Sequence, residues 1–343
     1  MNRKPFYRIS DLAILDVEGN DAGQILHNLT TNDVKTLTVS QDDQQADVSV
    51  GCETFVTDVR GKTLGHVYAF RTSAGYRLIG AAGQSEAIAS HADKYTIRED
   101  AVPKKQDADF AAVVLPPTLL QTEANGIVAE IKSKHAGVIA TLESQTPPVG
   151  KVMRAFQVSC PSDSTNDALL IDVTAYEVDW LGDGSLLLLV SAENAASFIH
   201  QLTNASLVAE GDDAFHQQRV LAGFPWYGID LSDKNLPQEA DRDATTISFT
   251  KGCYLGQETV ARLDALGQVQ KKLVRWSIDH GNIDAGTELV AIEKVVGRLS
   301  SVASTASNKS VAIGMARRSH FESGATATGT TSDGLNFNAT VMA

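Results

Sequence analysis

The sequence predicts an α+β protein with two related subdomains and a small antiparallel β-barrel at its C-terminal end. The first observation is a repeated order of glycine, strand, small residues, helix and strand, which begins at Gly75 and again at Gly184. The second is the C-terminal quarter, where short strand-like runs are separated by Gly281, Gly286, Gly297 and Gly314. Regularly spaced turns between short strands are typical of a small barrel.

The N-terminal region predicts a strand followed by a helix. The apolar run Leu12–Val17 is strand-like, and Asp21 is a suitable N-cap with Gln24 three residues later, as in a capping box. One face of the next helix is apolar, through Ala22, Ile25, Leu26 and Leu29. We expect this helix to end in a polar turn that contains Asn32 and Asp33.

The two repeats supply the rest of the α+β region. The first repeat predicts a strand, a helix and a strand, at Gly75–Ile79, 85–94 and Tyr95–Ile97. The second predicts the same elements, at Gly184–Val190, Ala192–Leu202 and Ala205–Val208. Between them, the run Asp163–Asp167 predicts the exposed tip of a hairpin. We expect both subdomains to lie within residues 1–268 and the barrel to occupy residues 269–343.

Composition excludes several functional classes. The formal net charge of −13 repels phosphate backbones, so we expect no direct nucleic-acid binding. Cys52, Cys160 and Cys253 are far apart, and neither C-x-x-C nor H-x-x-x-H spacing occurs, so no disulfide framework and no metal site is predicted. The odd cysteine count fits a reducing compartment. No apolar run is long enough to span a membrane, and we expect a cytoplasmic protein.

Residues 251–258 concentrate the chemically active side chains. A lysine, a cysteine, a tyrosine, a carboxylate and two glycines occur within these eight positions. The residues that follow predict a short helix with Gln257 and Glu258 in its first turn, where backbone N–H groups point outward. Both that partial charge and Lys251 would stabilise a thiolate at Cys253. We therefore expect a reactive thiol; the alternative is a small, buried and inert cysteine.

The order Lys-Gly-Cys-Tyr-x-Gly-Gln-Glu in these residues resembles the signature of YgfZ-type folate-binding proteins, which are related to the glycine-cleavage T-protein, an aminomethyltransferase. The segment 19–34 is similar to the first motif of that family. Residues 219–230 and 236–239 resemble its second conserved segment, and 311–318 resembles its late motif. The resemblance implies a T-protein-like fold, with two α+β subdomains and a barrel around a central cavity that holds tetrahydrofolate.

The resemblance also implies roles for individual residues. Cys253 and Lys251 would carry the chemistry, and Asn32 and Asp33 would face the folate. Glu239 would accept two parallel N–H bonds from the pterin ring. The expected folate-binding set is completed by Tyr254, Gln257, Glu258 and Arg262.

The implied function is that of an accessory protein for iron–sulfur cluster assembly or repair, and thereby for tRNA modification. It would bind tetrahydrofolate, use Cys253, and have iron–sulfur enzymes or cluster-assembly proteins as partners. The alternative is a folate-dependent aminomethyltransferase of the T-protein type, so enzymatic turnover stays open. T-proteins use a catalytic aspartate whose ungapped match here is Ala87, or Glu86 after a shift of one residue. A third possibility, a direct tRNA-modifying enzyme, is disfavoured by the charge of −13.

Overall fold

The computed structural model describes residues 4–42, 45–122, 126–142, 149–161, 170–267 and 269–343. The strands before the barrel are β1 (Pro5–Ile9), β2 (Leu12–Glu18), β3 (Val39–Asp42), β4 (Gln45–Thr57), β5 (Thr63–Arg71), β6 (Gly75–Ala81), β7 (Val102–Lys105), β8 (Phe110–Leu115), β9 (Met153–Pro161), β10 (Leu170–Val178), β11 (Ser185–Ser191) and β12 (Val208–Glu210). The α-helices are α1 (Ala22–Leu29), α2 (Ser85–Tyr95), α3 (Pro117–Gln121), α4 (Gly126–Leu142), α5 (Ala195–Asn204), α6 (Asp212–Ala222), α7 (Asp243–Thr246) and α8 (Gln257–Leu266). The barrel strands are β13 (Lys271–Ile278), β14 (Glu288–Ala291), β15 (Lys294–Ser304), β16 (Ser310–Arg317), β17 (Thr326–Thr330) and β18 (Asn336–Val341).

The chain forms two compact units. The first consists of Met1–Val56, Gly65–Phe215 and Ala244–Tyr254, and the second of Thr57–Leu64, His216–Asp243 and Leu255–Ala343. The second unit contains the barrel together with α8 and the part of α6 from His216 onward. The boundary between residues 268 and 269 stays a prediction. Among the described helices, none is both long and apolar enough to cross a membrane.

The first unit is organised by a sheet whose strand order reveals a duplication. In the described chain that order is β12-β1-β8-β11-β10-β9-β4-β5-β6-β2-β7, with β3 paired to β4. One half contains β2, α1, β4, β5, β6, α2 and β7. The other half repeats this order with β8, α4, β9, β10, β11, α5 and β12. The predicted pair of related α+β subdomains is therefore confirmed, as two halves of one sheet.

Two local predictions are wrong, and a third lies outside the described residues. The strand predicted at Tyr95–Ile97 is wrong, because α2 continues to Tyr95 and the N–H of Thr96 bonds back to carbonyls of the last helical turn. The predicted capping box is also wrong: the Asp21 carboxylate accepts a hydrogen bond from the N–H of Asp100, and Gln24 bonds to Asn28. The predicted hairpin tip at 163–167 lies outside the described residues.

A glycine lies at the seam where the two halves meet. β4 pairs antiparallel with β9 at Ser49–Ala155 and Val50–Arg154. At the adjacent Gly51, a Cβ atom would come within 2.3 Å of Cδ1 of Phe70, whose side chain is fully buried. The Phe70 ring packs edge-on against Tyr176 of the other half, with ring centroids 4.8 Å apart. The missing side chain at position 51 therefore makes room for this aromatic contact.

The second unit contains the predicted antiparallel barrel. Its strands close in the order β13-β16-β15-β14-β17-β18. The interior is filled by buried apolar side chains that include Trp276, Leu289, Leu299 and Phe337. The predicted barrel is therefore confirmed. Of the four glycines expected to separate its strands, Gly281 and Gly286 lie between β13 and β14, whereas the turns expected at Gly297 and Gly314 are wrong, because these residues lie within β15 and β16.

We predict that Gly51→Ala lowers the denaturant midpoint of unfolding, because the added methyl group must displace Phe70. Overpacking of this kind costs about 1–3 kcal/mol. Gly211→Ala is the matched control, since a Cβ there meets nothing within 4 Å. Urea unfolding followed by circular dichroism measures both, and equal midpoints for the two variants would contradict the steric account of the seam.

Candidate functional site

The cysteine motif consists of a loop followed by a helix. Residues 252–254 have no regular structure, and α8 begins at Gln257 after Gly256, which has φ +78°. A Cβ at Gly256 would lie 2.4 Å from Gly61, so the turn requires glycine. Glu258 lies in the first turn of α8, and the helix ends at Gly267, as predicted.

Lys251 is buried, and its ammonium group bonds to the end of α1. Its Nζ donates to the carbonyl oxygens of His27 at 2.8 Å, Thr30 at 2.6 Å and Asn32 at 2.8 Å. Carbonyls at a helix C-terminus lack partners within the helix and favour a nearby cation. The lysine therefore fastens the residues just before Cys253 to α1.

Further hydrogen bonds join the same segment to the polar turn after α1. The hydroxyl of Thr31 donates to the carbonyl of Thr246 at 2.6 Å, and the N–H of Ser248 donates to the carbonyl of Thr31 at 2.9 Å. Asn32 Nδ2 donates to the carbonyl of Thr245 at 3.1 Å. These hydrogen bonds hold residues 245–251 against the polar turn.

Opposing effects act on the protonation of Lys251. Burial lowers its pKa to about 7, whereas the carboxylate of Asp33 acts in the opposite direction. Its Nζ also lies 5.0 Å from the ring centroid of Tyr254, which is buried and whose hydroxyl pKa is raised by desolvation. Because three carbonyls match the three ammonium hydrogens, the contacts favour the protonated form. Lys251 is thus a positioning residue in this arrangement.

Asn32 and Asp33 have different environments in the turn. Asn32 is fully buried, and its Nδ2 also donates to the carbonyl of Glu53 at 3.0 Å while its Oδ1 accepts the N–H of Asp33. Its amide is therefore used to hold the loop. Asp33 is partly exposed, and its Oδ1 lies 3.1 Å from Nδ1 of His27, a residue of α1.

Cys253 is exposed, whereas Cys52 and Cys160 are buried. Burial raises the pKa of the Cys160 thiol to about 12 and also raises that of Cys52. Those two thiols stay protonated and inaccessible near neutral pH. Cys253 is therefore the thiol that a reagent or partner can reach. The exposed dipeptide Gly252-Cys253 lies between two buried residues, Lys251 and Tyr254.

The second unit contains the remaining predicted residues. Glu239 is buried in a short 3₁₀ helix, and its Oε2 accepts hydrogen bonds from Asn235 at 2.7 Å and from the N–H of Leu236 at 3.4 Å. Lys271 Nζ lies 3.5 Å from the same oxygen. On α8, Gln257 is half-buried, and the surface of the helix includes exposed Glu258 and Arg262.

The structure therefore brings together part of the predicted site in the first unit, namely Asn32, Asp33, Lys251, Cys253 and Tyr254. Glu239, Gln257, Glu258 and Arg262 belong to the second unit. Sequence reasoning missed His27, which contacts both the lysine and the aspartate. Its signal was a titratable side chain next to Leu26, about one turn before the polar turn.

Two relatives in sequence bear on the class of the protein, although no family model matches the chain. It is 23% identical to the tRNA-modifying protein YgfZ from Colwellia psychrerythraea over 77% of this chain and 69% of that protein. It is 32% identical to an iron–sulfur cluster assembly factor IBA57 homologue from Neurospora crassa, over 25% of this chain and 21% of that protein.

A solved structure extends the comparison to the fold. The glycine cleavage system aminomethyltransferase T from Bartonella henselae superposes with a TM-score of 0.71, at 15% identity, over 99% of this chain and 86% of that chain. The chain therefore has the fold of the T-protein aminomethyltransferases. In sequence it is a relative of the YgfZ-type proteins, and the resemblance that its motifs predict is confirmed.

We predict that Lys251→Met destabilises the protein by about 2–4 kcal/mol, because three buried carbonyls lose their donor. The gap to wild type should widen as pH rises from about 7, since the folded-state pKa of Lys251 is lowered to about 7 and the unfolded chain holds this proton until about pH 10. The free energy of unfolding of wild type then rises relative to that of the variant by up to ~1.4 kcal/mol per pH unit.

Chemical unfolding at pH 7, 8 and 9 measures this gap. Lys134→Met is the matched control, because Lys134 is exposed on α4 of the same unit and should change the stability by less than about 0.5 kcal/mol. A gap that stays constant or narrows with rising pH would contradict the lowered folded-state pKa of Lys251.

Proposed function

We propose that this protein binds tetrahydrofolate or a folate derivative and acts in iron–sulfur cluster assembly or repair, and thereby in tRNA modification, through Cys253. The observation that carries the proposal is an exposed thiol on a loop that a buried lysine fastens to α1. Fixing the backbone beside a thiol keeps it in one orientation toward a partner. We propose iron–sulfur enzymes or cluster-assembly proteins as partners, and the cytoplasm as the location.

The named relatives support this class of function. One is a tRNA-modifying protein and another an iron–sulfur cluster assembly factor. Thiolates are ligands that suit iron and sulfur chemistry. An exposed cysteine can reach a cluster or a persulfide carried by another protein, which a buried cysteine cannot do.

Folate binding is supported by free acceptor atoms in the second unit. Oε1 of Glu239 has no hydrogen-bond partner among the described residues, and Oε2 carries the bonds from Asn235 and Leu236. Oε1 of the neighbouring Gln238 is buried and likewise unpaired in the described chain. A pterin offers N–H donors along its aminopyrimidine edge, and these fit such acceptors. The first unit has a candidate acceptor of its own, the partly exposed Asp33, whose backbone N–H bonds to the buried Asn32.

The alternative function is aminomethyl transfer, which the shared fold favours. The two positions proposed for its catalytic aspartate both lie on the exposed face of α2. Ala87 has no carboxylate, and Glu86 forms an ion pair with Lys105 at the surface. A catalytic acid or base is normally held in a more enclosed setting, so these positions favour the accessory role. An aminomethyl-transfer assay with a lipoyl carrier protein separates the two functions.

We predict that Cys253→Ala folds normally and binds folate with unchanged affinity, but fails to restore iron–sulfur enzyme activity in a bacterial strain lacking its own YgfZ-type protein. The side chain is exposed, so its loss removes little packing. Cys160→Ala is the matched control and should restore activity, because that buried thiol is inaccessible. Full rescue by Cys253→Ala would rule out the thiol as the working group.

Folate binding is tested separately in each unit. We predict that Asp33→Ala and Glu239→Ala each weaken tetrahydrofolate binding about tenfold, the size expected for one charge-assisted hydrogen bond. Isothermal titration calorimetry measures the affinity, and Glu193→Ala, an exposed carboxylate on the first unit, serves as control. Unchanged affinity in both variants would remove these residues from the folate site.

A further inference from the structure

A histidine–aspartate pair lies beside the cysteine loop. His27 is buried on α1, and its Nδ1 is 3.1 Å from Oδ1 of Asp33. Both atoms are sealed from solvent and make no hydrogen bond among the described residues. The two side chains therefore interact through this close polar contact and not through a third group.

The opposite edge of the imidazole faces the cysteine loop. A Cβ at Gly252 would lie 3.3 Å from Nε2 of His27, and apart from the two chain neighbours of Gly252 no other atom of the described residues lies within 4 Å of that position. Gly252 immediately precedes Cys253, which is exposed. The backbone that carries the thiol therefore passes close to Nε2.

The charges around His27 define its protonation. Burial and the neighbouring Lys251 lower the pKa of His27, Asp33 raises it, and Lys35 acts in the same direction as Lys251. The ring is therefore neutral near pH 7. With the Nδ1 proton directed toward the Asp33 carboxylate, the lone pair is on Nε2, and this is the tautomer that can accept a proton.

We propose that the Asp33–His27 pair accepts the proton of the Cys253 thiol. The S–H bond breaks, the electron pair stays on sulfur, and the proton moves to Nε2 of His27, directly or through one bridging water. The resulting imidazolium is stabilised by the Asp33 carboxylate, and the resulting thiolate is the form that ligates iron or attacks an electrophile. This inference deepens the proposed function and rests on it for the identity of the partner.

The pair also gives Asp33 a second role. A carboxylate that orients the base is a positioning residue, and its removal leaves the imidazole free to rotate and to adopt the other tautomer. Lys251 contributes from the other side, because its bond to the carbonyl of His27 fixes this part of α1 relative to the loop. The base, its orienting carboxylate and the thiol are thus held by one set of contacts within the first unit.

The test is the rate of Cys253 alkylation by iodoacetamide between pH 5.5 and 9.5, on the full chain without folate or clusters. Cys52 and Cys160 are buried, so the fast phase reports Cys253. We expect His27→Gln to react about tenfold more slowly than wild type at pH 7, and the two rates to converge by pH 9.5, where hydroxide ionises the thiol in both. Asp33→Asn should lie between them, and Lys134→Gln, at an exposed position on α4, should follow wild type.

The shape of the pH profile separates chemistry from structure. A variant that merely disturbs the loop changes the rate by the same factor at every pH. Uniform slowing, or a profile identical to wild type, overturns the proposal. If His27→Gln does not fold, Gly252→Ala serves as second variant, since its methyl group crowds Nε2 and should slow alkylation below pH 8 only. The outcome is independent of the proposed function, because neither folate nor an iron–sulfur enzyme takes part in the measurement.

Discussion

The structure of the site depends on one buried ammonium group. Lys251 contacts three carbonyls at the end of α1, so the sequence motif around Cys253 and the N-terminal polar turn form one hydrogen-bonded assembly. These two segments are more than 200 residues apart in the chain, and the partners differ in position by 219 to 224 residues. Closing so long a loop costs conformational entropy, and a fully satisfied buried cation offsets part of it while fixing the register of the segment.

The duplicated sheet explains why the polar turn is available for this role. In each half, a strand leads into a helix before the chain enters the next strand of the sheet, so α1 corresponds to α4. In the first half the helix is short and is followed by Thr30, Thr31 and Asn32, whose groups bond to residues 245–251. The same architecture thus supports different local chemistry in its two halves, because the residues at the end of the helix differ.

Much of the fold could be predicted from local patterns. The barrel and the repeated strand-helix order follow from short hydrophobic runs, and both were found, although Gly297 and Gly314 lie inside strands and not at turns. The failed strand at Tyr95–Ile97 has a local cause. A threonine and an isoleucine favour a strand, but the N–H of Thr96 bonds to the helix end and that of Ile97 to the Glu99 carboxylate. The seam between β4 and β9 could not be predicted, because pairing between distant strands leaves no periodic signal in either strand.

The site was only partly predictable for a related reason. The exposed cysteine and the helix that follows it are local features, and sequence reasoning identified both. The three carbonyls that hold Lys251 are backbone groups, which have no residue-specific signal, so the lysine was interpreted as a catalytic group. His27 was overlooked because its role depends on Asp33 and Gly252, which come together only in three dimensions.

The central claim is that Lys251 joins the cysteine loop to the end of α1. Hydrogen-exchange mass spectrometry of Lys251→Gln against wild type tests it most directly. The account predicts that the peptides covering 26–34 and 246–254 lose protection together, while peptides from β10 and β11 keep theirs. Loss of protection in the loop alone, with 26–34 unchanged, would contradict the claim that one ammonium group holds both segments.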